Sequence, residues 1–180
     1  MPSQTQEFVT SLQPMQPTES RGQLKRNLAA EVLRTAGKFR LAAFGYSMLP
    51  TLWPGEILTI QAQTLEQVQP SEVVLFSREG RFFIHRVVRK VKTGPEARLI
   101  TRGDALPAVD ATVFPIEFLG KIVSVRRGDR DIPVPACPPW RRFMGLALTY
   151  SVHLRSLGMR WHAWWSAVSR AKSRLATEHT

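Results

Sequence analysis

The sequence predicts a mostly β protein in which an antiparallel sheet is flanked by helical segments at both ends. Between residues 38 and 134, short apolar runs such as EILTI, EVVLF and LGKIVSV are separated by turns rich in proline and glycine. The flanking segments 23–37 and 139–175 instead repeat apolar residues at the spacing of an α-helix. The chain has 180 residues, of which 43% are apolar and 22% charged, so it can bury a core of its own.

The amino-terminal region divides into a tail and a helix. Residues 1–22 are rich in Gln, Ser, Thr and Pro, and we expect them to form a flexible tail. In the segment 23–37, Leu24, Leu28 and Val32 recur at helical spacing, and Gly37 closes the pattern. The segment is therefore predicted to be a short amphipathic helix.

The predicted β domain, residues 38–134, contains the strand-like run RFFIHRVVRKV. Side chains alternate between the two faces of a strand, so Phe83, His85 and Val87 share one face. His85 is thus expected among apolar neighbours rather than on an open polar face.

The carboxy-terminal segment 139–175 is predicted to be a basic amphipathic helix. It combines many arginines with several tryptophans, among them Trp140, Trp161 and Trp164. Such a helix could lie in the interface of an anionic membrane, with its aromatic rings at headgroup depth. The alternative is that its apolar residues pack on the β domain while the arginines are solvated.

The charge balance suggests a polyanionic neighbour, because 25 Lys and Arg stand against 14 Asp and Glu, a net charge of +11. A membrane surface fits better than nucleic acid, since the sequence has no zinc-finger spacing, RNA-binding glycine box or clear helix-turn-helix. The sequence shows neither a signal peptide nor an uncharged apolar run of about 18 residues. We therefore expect a cytoplasmic or peripherally membrane-associated protein.

Cofactor and disulfide chemistry are not expected. Cys137 is the one cysteine, so no internal disulfide can form. The four histidines show no metal-ligand spacing, and no cysteine pairs are present. We predict no metal and no organic cofactor.

Four residues have the side chains that nucleophilic acyl transfer requires. Ser47 lies in the loop GYSMLPTLWPGE, His85 in FFIHRVV, Asp104 in TRGD and Asp110 in AVD. A serine needs a base to become a nucleophile, and an imidazole can take a proton and return it. A carboxylate at the second ring nitrogen orients that base, and either aspartate could reach it.

These motifs, in this order and spacing, resemble the signal peptidase I family, within the larger group that includes the LexA-type self-cleaving repressors. The resemblance covers residues 44–125 and includes the serine loop, EVVLF, HRVV, TRGD and LGKIV. Most bacterial members pair the serine with a lysine, whereas here that place is held by His85, as in the endoplasmic-reticulum-type branch. The resemblance implies Ser47 as nucleophile, His85 as general base, Asp110 as orienting acid and Asp104 as a supporting residue.

The implied activity is a serine endopeptidase that processes signal or leader peptides after small residues. Two departures from the family stand out: Gly45 occupies a place where many relatives have an oxyanion-binding serine, and no amino-terminal membrane anchor is evident. Two alternatives remain. One is a self-cleaving regulator, cut near Ala36–Gly37, and the other is a catalytically inactive binding module on the same fold.

Overall fold

The computed structural model describes residues 17–93 and 96–138, together with 140, 143, 144, 147, 156 and 158–162. Most of the predicted carboxy-terminal helix 139–175 and residues 1–16 of the predicted tail therefore lie outside the described residues. Those that are described between 140 and 162 are helical. No helix within the described ranges is long and apolar enough to span a membrane.

An antiparallel sheet forms the body of the protein, which confirms the predicted fold class. The described ranges hold seven strands, paired in the order β1-β2-β6-β3-β4-β5, with β7 added beside β6. Their bounds are β1 Lys38–Ala42, β2 Ile57–Gln61, β3 Val73–Arg78, β4 Arg81–Thr93, β5 Glu96–Arg102, β6 Phe118–Arg127 and β7 Arg130–Pro133. The strand β4 pairs with β3 along its first half and with β5 along its second.

The sheet buries apolar side chains on both faces, because alternate residues of a strand point in opposite directions. Central strand β3 shows this best. Val73 and Leu75 join one apolar cluster, and Val74 and Phe76 join the other. The first cluster lies beneath the amino-terminal helix and includes its residue Leu33.

The helix α1, Pro17–Ala36, begins before the predicted start at Gln23. Proline at a first helical turn is favourable, since its missing N–H would have no intrahelical partner there. The helix ends at Gly37, which adopts the left-handed φ of 70° and donates its N–H to the carbonyl of Leu33 at 3.0 Å. Only part of its apolar stripe is covered: Leu33 is buried, whereas Leu28 is 63% exposed.

Candidate active site

The serine loop connects β1 to β2 and spans residues 43–56. Two backbone hydrogen bonds close its base, from Ala43 N to Glu56 O at 2.8 Å and from Gly55 N to Ala43 O at 2.9 Å. Met48 and Leu52 are buried and anchor the loop in the core. The loop is therefore held at its base and along its length, which restricts the position of Ser47.

Glu56 is the polar anchor of this loop and is itself buried. Its carboxylate accepts the backbone N–H of Trp53 at 2.9 Å and the guanidinium Nε of Arg127 at 2.7 Å. Arg127 also donates to the carbonyl of Thr51 at 2.7 Å. On the outer side, His162 stacks on Trp53 with ring centroids 4.8 Å apart, and its Nε2 lies 3.1 Å from Glu56 Oε1. The carboxy-terminal segment thus contacts the serine loop through a described residue.

His85 lies on β4 opposite Val74 of β3 and is buried. Edge-to-face contacts with Phe76 and Phe83, with ring centroids 6.1 and 6.2 Å away, fix the plane of its ring. Its Nε2 is 3.0 Å from the Oγ of Ser47. His85 therefore lies among apolar neighbours, as the alternation of side chains along the strand predicted.

Asp110 faces the other nitrogen of the same ring, with Oδ2 2.6 Å from His85 Nδ1. A carboxylate can only accept, so Nδ1 carries the proton and Nε2 is left to accept from the Ser47 hydroxyl. Burial raises the pKa of Asp110, but hydrogen bonds from His85 and Thr101 and the nearby charge of Arg78 outweigh it, and this pKa lies below the usual value of 3.8. Asp110 is therefore ionised at neutral pH.

Thr101 is a member of this cluster that the motif analysis missed. Its hydroxyl donates to Asp110 Oδ2 at 2.6 Å, and its carbonyl accepts the Asp110 N–H at 2.8 Å. The side chain is fully buried, and the pairing of β5 with β4 places Thr101 opposite Val87. The sequence did offer a way to find Thr101, since this residue is the first of the TRGD motif that also contains Asp104.

Asp104, the second candidate for orienting the imidazole, is bound by Arg86 instead. The guanidinium Nε and Nη2 donate to its two carboxylate oxygens, each at 2.8 Å. Arg86 further donates to the carbonyl oxygens of Ser71 and Pro135 at 2.7 and 3.1 Å. The structure therefore brings Asp110, and not Asp104, to His85. Arg86, which follows His85 in the chain, had no assigned part in the sequence-based prediction.

The turn that carries Asp104 also supports the serine loop. The N–H of Ala105 donates to the carbonyl of Ser47 at 2.9 Å. A Cβ on Gly103 would lie 2.6 Å from that same carbonyl oxygen, so only glycine permits this approach. The TRGD motif thus positions Ser47 through the backbone.

Ser47 and His85 open into a cavity of about 770 Å³. Its walls are largely apolar and come from α1, from β1 and its following loop, and from the start of β4. Gly45 also lines it and, with a left-handed φ of 79°, contributes no side-chain donor. Within the described ranges, no group of three or more His, Cys, Asp or Glu side chains could hold a metal ion.

A mostly antiparallel β domain that presents a hydrogen-bonded serine, histidine and aspartate at an apolar groove is typical of hydrolases that act through a nucleophile. No protein-family model matches the chain. Curated relatives are nevertheless found. The chain is 34% identical over 71 residues to the signal peptidase complex catalytic subunit sec11 of Sclerotinia sclerotiorum. It is 32% identical to the subunit of the same name from Chaetomium globosum and 36% identical to that from Neurospora crassa, again over 71 residues.

These matches confirm the resemblance to the signal peptidase I family for one segment of the chain. Each covers 38% of this protein and 41% of the relative. The chain thus spans about two fifths of the length of the curated relatives that it matches.

Proposed function

We propose that this protein is a serine endopeptidase that cleaves an extended peptide after small side chains. The observation that supports it best is the hydrogen-bonded chain Ser47–His85–Asp110, with distances of 3.0 and 2.6 Å, at the edge of a peptide-sized cavity. The relatives are named as catalytic subunits of a signal peptidase complex. By analogy with them, we propose signal or leader peptides as the substrate class and further subunits as partners.

The proposed reaction has two steps. The Ser47 oxygen attacks the peptide carbonyl carbon while its proton passes to His85 Nε2, and the ionised Asp110 stabilises the resulting imidazolium. The imidazolium then protonates the leaving amine, and an acyl-enzyme remains on Ser47. Water, deprotonated by the same imidazole, releases the acyl group and restores the serine.

In this proposal Asp104 and Thr101 are positioning residues. Asp104, held by Arg86, supports the turn that donates to the Ser47 carbonyl. Thr101 holds the carboxylate of Asp110. The backbone N–H of Ser47 is the proposed oxyanion donor, because Gly45 lacks a side chain that could serve.

The self-cleaving alternative has no support from the backbone at Ala36–Gly37. That bond lies at the end of α1, where Gly37 N donates to Leu33 O at 3.0 Å and Gly37 O accepts from Ala62 N at 2.7 Å. A protease needs an extended segment in its groove, so cleavage there would first require these contacts to open.

Activity-based labelling tests the proposed function. We expect a fluorophosphonate to label the wild-type protein at Ser47, with labelling abolished in Ser47→Ala and retained in Ser124→Ala, a serine substitution on β6. Cleavage of quenched peptides with alanine at the cut should fall by about 10³-fold or more in His85→Ala. If wild type and Ser47→Ala were equally inert in both assays, the binding-module alternative would replace the proposal.

A further inference from the structure

The segment that carries Asp110 is attached to β5 along one side. Asp110 donates its N–H to the carbonyl of Thr101 at 2.8 Å. Three residues later, Val113 exchanges two backbone hydrogen bonds with Leu99, at 2.8 and 3.1 Å. The stretch between these two attachments is held by a different strand.

That strand is β3, whose last residue, Arg78, reaches the segment with its guanidinium. Nη2 donates to the carbonyl of Thr112 at 2.8 Å, and Nη1 donates to that of Ala111 at 3.3 Å. The same guanidinium donates to both carboxylate oxygens of Glu117, at 2.6 and 2.8 Å. Glu117 in turn accepts the N–H of Phe114 at 2.9 Å, which holds the end of the segment. Arg78 thus connects β3 to the backbone that directly follows the aspartate.

The same face of β3 also contacts the imidazole. Phe76 and Arg78 are two residues apart on the strand and therefore share a face. The guanidinium carbon of Arg78 lies 5.6 Å from the centroid of the Phe76 ring. Phe76 meets the ring of His85 edge to face, with the centroids 6.1 Å apart. One face of β3 therefore contacts both the imidazole and the segment of its aspartate partner.

We propose that Arg78 is a positioning residue, which holds Asp110 at the ring of His85 through the backbone carbonyls that follow the aspartate. This inference rests on the proposed function, because Asp110 matters to the reaction only as the partner of the proposed base. Ala111 is exposed, so water can replace the guanidinium as a donor to its carbonyl. Water would not attach the segment to β3, and loss of Arg78 should therefore displace the aspartate more than it unfolds the protein.

Steady-state kinetics of an apolar substitution tests the role. Arg78→Met keeps a stem of similar length over Phe76 but removes every donor, and we expect kcat to fall about tenfold while KM stays unchanged. Arg78→Lys keeps the charge and a donor that can reach the place of Nη2, so it should recover part of the rate. The matched control is Lys121→Met. Lys121 pairs with Glu72, and its side chain is 28% exposed against 25% for Arg78, so this variant also loses a half-buried ion pair but should keep the wild-type kcat.

Proton NMR of the histidine reports the position of Asp110 without any catalysis. The Nδ1 proton of His85 lies in a hydrogen bond of 2.6 Å to the carboxylate and should resonate far downfield of the backbone amides. Its loss in His85→Gln assigns the signal. We expect the resonance in wild type and in Lys121→Met. In Arg78→Met it should weaken and move upfield, because the hydrogen bond lengthens when the aspartate is displaced.

The two measurements separate the positioning role from the proposed function. If wild type cleaves no peptide but the resonance depends on Arg78, the proposed function fails and the positioning role stands. If peptides are cleaved and Arg78→Met keeps both the wild-type kcat and the resonance, the positioning role is overturned. It is equally overturned if Lys121→Met loses as much of both, since general destabilisation would then explain the effect.

Discussion

One oxygen of Asp110 accepts hydrogen bonds from both His85 and Thr101, each at 2.6 Å. The second donor matters because a carboxylate held by the imidazole alone could rotate about its own side-chain bonds. Thr101 is buried and β-branched, which restricts its own rotamers and so fixes the position of the hydroxyl that it donates to Asp110. The orientation of His85, the proposed base, therefore depends on a residue that does not contact the proposed nucleophile.

Removing this hydroxyl should slow the chemical step. We expect Thr101→Val, which keeps the shape of the side chain, to lower kcat about tenfold while KM stays unchanged, since a tenfold loss corresponds to about 1.4 kcal/mol of transition-state stabilisation. Thr101→Ser retains the hydroxyl and should restore most of the rate. Steady-state kinetics of the three proteins checks this, and a Thr101→Val enzyme with wild-type kcat would contradict the positioning role.

Crowding at Gly103 provides a second test at the scale of one residue. An added Cβ would meet the Ser47 carbonyl oxygen at 2.6 Å and the Leu106 side chain at 3.0 Å, so Gly103→Ala must displace the serine loop. We expect a loss of about 1–3 kcal/mol in the free energy of unfolding and a fall in kcat of about tenfold or more.

The control for Gly103→Ala is Gly120→Ala on β6, where the added Cβ would meet the Gln61 carbonyl at the same 2.6 Å. That variant should lose comparable stability but keep its rate per active site, as counted by fluorophosphonate titration. Equal losses of kcat in both variants would show that general destabilisation, and not displacement of Ser47, explains the effect.

Between elements, the Arg86–Asp104 ion pair joins β4 to the turn that follows β5. Asp104 is 4% exposed, and Arg86 also donates to carbonyls at Ser71 and Pro135. One guanidinium thus connects three segments that are distant in sequence. Because breaking a buried pair leaves an uncompensated charge, the connection should be costly to remove.

Asp104→Ala is expected to lower the free energy of unfolding by about 3–5 kcal/mol, measured by urea denaturation. Asp131, which pairs with Arg40 and Arg126 at the surface, provides the comparison. Asp131→Ala should change stability far less, because exposed pairs are screened by solvent. A similar, small effect of both substitutions would mean that the buried pair does not hold the turn.

For the whole molecule, the Arg78–Glu117 ion pair should make the free energy of unfolding depend on pH. The guanidinium of Arg78 donates to both carboxylate oxygens of Glu117, at 2.6 and 2.8 Å, and to the carbonyl of Thr112. Hydrogen bonding to Arg78 outweighs burial and holds the pKa of Glu117 below its usual value of 4.5. The folded protein therefore binds fewer protons at this carboxylate than the unfolded chain does.

The stabilisation from Glu117 is fully present above its unfolded-state pKa, near 4.5, and is lost as the pH falls through the lower folded-state pKa. Glu117→Gln should consequently be less stable than wild type at neutral pH, with the difference shrinking below about pH 4.5. Thermal unfolding across this range measures it. A difference that stays constant with pH would exclude the ion pair as its source.

Membrane association is the remaining prediction at this scale. Among the described carboxy-terminal residues, Trp140, Phe143 and Trp161 are 62%, 74% and 67% exposed, and the chain has a net charge of +11. We expect the full chain to sediment with anionic vesicles at low salt and to be released as salt rises, because basic side chains near the surface drive the binding. Neutral vesicles are the control. Equal binding to both, or no binding to anionic vesicles, would contradict the prediction.

Much of the fold and the candidate site could be predicted from local patterns. Strand periodicity placed His85 on an apolar face, and the glycine- and proline-rich loop around Ser47 marked it as a candidate nucleophile. The start of α1 was less predictable, since residues 17–22 have almost no apolar periodicity and the helix there is supported by the Gly22–Gly80 contact. A contact between distant backbones leaves no periodic signal in either segment.

The sequence by itself determined the mostly antiparallel β class and the presence of a candidate serine, a candidate histidine and two candidate aspartates. The family resemblance favoured Asp110, but only the tertiary structure shows which of those aspartates lies at His85. Asp104 and Asp110 are close in sequence, but they bind different residues of β4. The pairing of β5 with β4 brings Asp110 to His85, with Thr101 beside it. Arg86, the next residue of β4, binds Asp104. Composition and spacing specify which groups are present, and long-range strand pairing specifies which of them meet.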